Sequence, residues 1–154
     1  MIYTIREFNN DWIDDFIEKI NSLKEWEKVK IYIDSNWWDI TARDTYLDII
    51  KDIDNIELIA VTIWSAGFSM FDMANCKKSI LKSTTGMVHH EAWSTDIWFW
   101  WTPRGSYEKF KLEYKLNKKP PEYKWMTKKE KQIYDNGDNV YLDEARLLKI
   151  FNLK

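Results

Sequence analysis

A chain of 154 residues whose mixed charges sum to −2 is one domain with room for a buried core. That balance leaves no basic footprint for nucleic acid, and no apolar run reaches membrane-spanning length. The opening "MIYTIREFNNDW" lacks the charged and apolar regions of a signal peptide, and the single cysteine, Cys76, offers no internal disulfide, so a cytoplasmic chain is expected.

Strand and helix alternate along the first half. "MIYTIREF" reads as an opening strand, and Ile13, Phe16, Ile17, Ile20 and Leu23 follow at helical spacing behind Asn10; residues 1–28 form this first strand and helix. Val29, Ile31 and Ile33 then alternate with Lys30, Tyr32 and Asp34, the period of a strand with one apolar face. A second helix is expected over 41–52, burying Ala42, Tyr46, Ile49 and Ile50. The continuous run "ELIAVTI" at 57–63 suits a parallel strand covered on both faces. A third helix fits 66–75, and two short strands fit 79–81 and 86–89. This rhythm argues for a layered α/β fold with right-handed crossovers.

The second half is less regular. Residues 91–105 form a long loop without periodicity, and such loops are often functional. "SYEKFKLEYKL" reads as helical, "NKKPPEY" breaks it, and Thr127 with Glu130 makes a capping box for "KKEKQIYDN". "LDEARLLKIF" closes the chain as a helix.

The composition is inverted in one respect: ten tryptophans stand against four glycines. At ordinary usage, roughly 7% glycine, a chain of this length carries about 11. Trp37, Trp38, Trp64, Trp98, Trp100, Trp101 and Trp125 fall in expected turns or loop-facing positions, and glycine at those seven would raise the count from 4 to 11. A genetic code that reads UGA as glycine, translated as if UGA meant tryptophan, produces this pattern. Ordinary UGG codons at 37, 38, 100 and 101 in the gene would contradict it. In the alternative, the tryptophans are genuine and plug a cleft.

Acyl transfer needs a nucleophile, a base in hydrogen-bond reach, a group to orient the base, and oxyanion donors. Ser65 follows a buried strand and precedes a helix, so its hydroxyl would sit at a sheet's carboxyl edge beside helix N-terminal amides. The local pattern alone favours a plain helix N-cap for it. The two histidines, His89 and His90, are adjacent and point to opposite faces of a strand. A metal site of His89, His90 and Glu91 is disfavoured for that same divergence. Asp138, in a Gly-Asp turn before the last helix, carries no signal by itself.

The order of these pieces resembles the Clp protease proteolytic subunit and its phage-type relatives, serine peptidases of the ClpP/crotonase fold. The pieces are "SNWWDIT", "LIAVTI", "SAGFSMFDMAN", "GMVHHE" and "GDNVYLDEARLL", spanning residues 29–150. The resemblance implies an α/β fold of repeated ββα units in a single peptidase domain over 1–154. Within it, residues 106–136 would form a helical segment used in oligomerisation. It implies Ser65 as nucleophile, His89 as base and Asp138 as the group orienting the imidazole. Backbone amides of Ala66 and of Trp37 or Trp38 would form the oxyanion hole, the two tryptophans standing at the family's paired glycines. Ser69, His90 and Asp135 are the respective alternatives. No cofactor is implied. The implied partners are a peptide or protein substrate, further copies of the chain, and an ATPase unfoldase. A scaffold with an impaired site, and a crotonase-type acyl-CoA enzyme, are the competing expectations.

Overall fold

The structure is a computed structural model, and it describes residues 1–6, 10–24, 27–35, 40–89, 121–136 and 138–153. By internal contacts the chain divides into two compact units, Met1–His89 with Asn139–Lys154, and His90–Asp138.

The first unit is built on a five-stranded sheet whose strands neighbour one another in chain order: β1 (Ile2–Ile5), β2 (Val29–Ser35), β3 (Ile56–Trp64), β4 (Lys77–Val88) and β5 (Val140–Leu142). The first four run parallel and β5 is antiparallel to β4. Helices α1 (Asn10–Asn21), α2 (Ile40–Ile50) and α3 (Ala66–Met73) connect the parallel strands. Parallel neighbours taken in sequence need right-handed crossovers, which lay successive helices on the same face of the sheet. Accordingly α1 packs on α2 and α2 on α3.

The apolar periodicities become one core. Ile5, Ile31, Ile33, Leu58 and Ile63 of the sheet are fully buried, as are Phe16, Tyr46, Phe68 and Phe71 of the helices. Tyr3, Phe16 and Tyr46 form a ring cluster, with centroids 4.8 Å and 5.1 Å apart. Aromatic pairs at such separations add about 0.5–1.5 kcal/mol each beyond their buried area. The last helix (Glu144–Phe151) is capped by Asp143, whose carboxylate accepts the Arg146 amide at 2.8 Å. It lies against β4 and α3: Leu147 is fully buried, and Phe151 meets Phe68 and Phe71 at 5.5 Å and 4.9 Å. Leu147 packs closely over Gly86: a Cβ there would stand 2.8 Å from Leu147 Cδ2, so the leucine's end would have to shift.

The sequence expectation differs from the structure at β4. The two short strands expected at 79–81 and 86–89 are one strand of 12 residues. It pairs with β3 in two runs separated by a register shift: Lys77–Ile80 against 57–60, then Thr85–Met87 against 62–64.

In the second unit the described residues carry a 3-10 turn (Pro121–Lys124) and α4 (Lys128–Asp135). The capping box is present: the Thr127 hydroxyl accepts the Glu130 amide at 3.2 Å, and the Glu130 carboxylate accepts the Thr127 amide at 2.5 Å. The helix expected within 106–116, the loop at 91–105 and much of the segment 106–136 lie outside the described residues.

Candidate active site

β3 delivers Ser65 to the carboxyl edge of the sheet. Trp64 is the last residue of β3 and is in register with Met87 of β4. The ladder extends one step further, since the Ser65 amide donates to the Met87 carbonyl at 2.8 Å. That bond fixes how far Ser65 lies from His89, two residues beyond Met87. Their side chains meet, with His89 Nε2 2.8 Å from Ser65 Oγ. A nucleophile and a base at that separation satisfy the geometric requirement for general-base activation of a hydroxyl.

The backbone of Ser65 is unusual. Its φ of 51° and ψ of −113° lie where L-residues other than glycine are disfavoured, a conformation costing of order 1–3 kcal/mol. The residue stands at the N-cap position of α3, yet its side chain makes no capping hydrogen bond. The expectation of a plain N-cap is therefore overturned: the hydroxyl is turned to the imidazole rather than to the helix. The strain is held by the Met87 carbonyl on the amide side and on the other by Ser69, whose amide donates to the Ser65 carbonyl at 3.0 Å.

Ser69, the alternative nucleophile, uses its hydroxyl elsewhere. Oγ bonds back to the Ser65 carbonyl one turn earlier, at 3.3 Å, a common fate for serine inside a helix. Cys76 is half-buried, and burial pushes its thiol pKa up, which works against a thiolate nucleophile.

Ala66 is buried at the first position of α3, an eight-residue helix whose opening amides have no partners within the helix. Such a helix end favours developing negative charge. Trp37, Trp38, His90 and Glu91 lie outside the described residues. Asp138 and Asp135 belong to the second unit, and both are exposed. The Asp138 amide donates to the Ile133 carbonyl at 3.1 Å and so helps close the end of α4. The Asp135 carboxylate accepts the Tyr123 hydroxyl at 2.5 Å.

Two tryptophans expected in turns are described. Trp64 lies within β3; its indole N–H donates to Thr85 Oγ1 at 3.3 Å and its ring meets Tyr141 edge-on at 5.9 Å. Trp125 lies in the turn after the 3-10 segment. Among the described residues other than glycine, only Ser65, Ser83 and Asn152 have positive φ, so neither backbone demands glycine. Also among the described residues, no group of three or more His, Cys, Asp or Glu side chains could hold a metal ion, and no helix is long and apolar enough to cross a membrane.

No family model matches the chain, and neither does any curated protein. Solved structures do. A single-residue variant of ClpP1 from Listeria monocytogenes is similar over 96% of this chain and 85% of its own, with TM-score 0.63 and 21% identity. The ClpP protease catalytic domain from Plasmodium falciparum is similar over 96% of this chain and 79% of its own, with TM-score 0.62 and 20% identity. The chain therefore has a ClpP-like α/β fold, and that likeness lends no support to the crotonase branch expected alongside it.

Proposed function

We propose that this chain is a subunit of a serine-type endopeptidase. The observation that carries the reading is the 2.8 Å contact between Ser65 Oγ and His89 Nε2, made by a serine in a strained strand-to-helix turn. Ser65 Oγ attacks the scissile carbonyl carbon while His89 takes its proton. The resulting oxyanion would be met by the Ala66 amide and by the amide of Trp37 or Trp38. Collapse breaks the C–N bond, His89 returns the proton to the leaving amine, and water hydrolyses the acyl-enzyme by the same steps. Asp138 is the proposed acid of the triad, the group that would hold the imidazole's tautomer and offset its charge.

The substrate is an extended peptide adding as a strand beside residues 34–39, with main-chain hydrogen bonds supplying affinity. The subunit works in the cytoplasm within a homo-oligomer, in which residues 106–136 contribute to assembly and an ATPase unfoldase presents folded substrates. In a peptidase assay on an unstructured protein substrate, Ser65→Ala is expected to reduce turnover by about 10⁴-fold or more. Cleavage that survives Ser65→Ala would remove Ser65 from the mechanism. The second reading, a scaffold with an impaired site, is favoured by genuine tryptophans at 37 and 38, where bulk would fill the cleft. It predicts a wild-type chain that assembles and cleaves nothing.

A further inference from the structure

β3 and β4 count differently between their two paired runs. Ile80 pairs with Ala60 and Thr85 with Thr62, so Leu81–Thr84 stand where β3 has only Val61. The excess is odd. Side chains alternate along a strand, so the number of residues stored in this excursion decides which face every later residue of β4 presents. His89 is one of those later residues. One residue more or fewer would turn its imidazole to the other face.

The excursion is fastened at its last two residues. Ser83 takes a φ of 68°, and its amide donates to the Glu144 carboxylate at 2.6 Å, across 61 positions of sequence. Thr84 is buried, with its hydroxyl 2.9 Å from the Ala60 carbonyl, at the register shift itself, and 2.6 Å from the Leu81 carbonyl. One hydroxyl thus joins the start of the excursion to β3. Glu144 opens the last helix, whose Leu147 packs against Gly86 just beyond the excursion.

We propose that Thr84 and Glu144 are positioning residues for this site: they fix the number of residues stored in β4 and thereby keep His89 on Ser65. Neither touches the reacting atoms. The inference rests on Ser65 and His89 as the working pair, but its test does not need turnover. The chain has two histidines, so the imidazole ¹⁵N resonances of the full-length protein can be assigned with a His90→Gln variant. Thr84→Val is expected to move the His89 Nε2 resonance in the same direction as Ser65→Ala, while Thr84→Ser leaves it in place. Where turnover is measurable, Thr84→Val should lower kcat about tenfold or more with KM little changed, the signature of a misplaced catalytic group. A His89 resonance in Thr84→Val that matches wild type would overturn the proposal. If Thr84→Val does not fold, Glu144→Ala, which removes the acceptor of the Ser83 amide, carries the same comparison, and an unshifted resonance there overturns it equally. An unreactive Ser65 whose partner His89 still responds to these variants would instead remove the hydrolase reading and leave the positioning role standing.

Discussion

Ser65 pays for its place with backbone strain, and its hydroxyl bonds to an imidazole instead of capping the helix that follows it. A non-glycine residue tolerates such a conformation only where its surroundings over-determine it, and here the Met87 carbonyl and the Ser69 amide do so. Part of this was legible beforehand. The order of buried strand, serine, helix and strand-borne histidine carries the resemblance that implies residues 65 and 89; the local pattern alone does not select them. The positive φ was not legible, because local preference ranks serine before a helix as a cap. For the carboxylate the residue scale offers a discriminating pair. Asp138→Asn should lower kcat by about 10³- to 10⁴-fold through loss of the required tautomer. Asp135→Asn, which alters a residue already bonded to Tyr123, should leave kcat within about twofold of wild type, as exposed substitutions away from a site usually do. Equal losses in steady-state assays of the two variants would contradict the assignment.

At the scale of elements, α1, α2, α3, the last helix and strands β1 to β3 follow their hydrophobic periods, and the capping box at Thr127 and Glu130 is where the sequence pattern puts it. Thr127→Ala should cost about 1 kcal/mol in urea unfolding, the usual worth of an N-cap. A loss near zero would mean that α4 does not depend on its cap. β4 was legible only as two fragments because its polar middle, Lys82–Thr85, breaks the alternation. The clamp from Glu144 comes from a distant element that no local pattern reveals. The cluster where β1, α1 and α2 meet makes a pH prediction. Burial is the main force raising the Tyr3 hydroxyl's pKa far above the ordinary tyrosine range, and it likewise pushes Tyr46 up to about 12. Unfolded tyrosines ionise near pH 10, so above that pH the unfolded chain binds fewer protons than the folded one, and stability falls as pH rises. Urea midpoints should hold steady up to about pH 9 and decline between about pH 10 and 12. Tyr3→Phe should flatten the decline, and an unchanged slope in that variant would contradict the burial assigned here.

The whole molecule has a ClpP-like fold. Chain-order strand neighbours with a terminal antiparallel strand put β3 and β4 side by side. A serine at the end of one then meets a histidine at the end of the other. The same topology packs α1, α2, α3 and the last helix on the sheet, so Ser65 and His89 stand at the edge of a close-packed core. The measurement closest to the central claim is the reaction of the full-length protein with a fluorophosphonate, the adduct mapped by mass spectrometry. One equivalent on Ser65, absent in Ser65→Ala and slowed about 10²-fold or more in His89→Ala, is the expected result. Modification of another residue, or labelling of Ser65 at the same rate without His89, would contradict it.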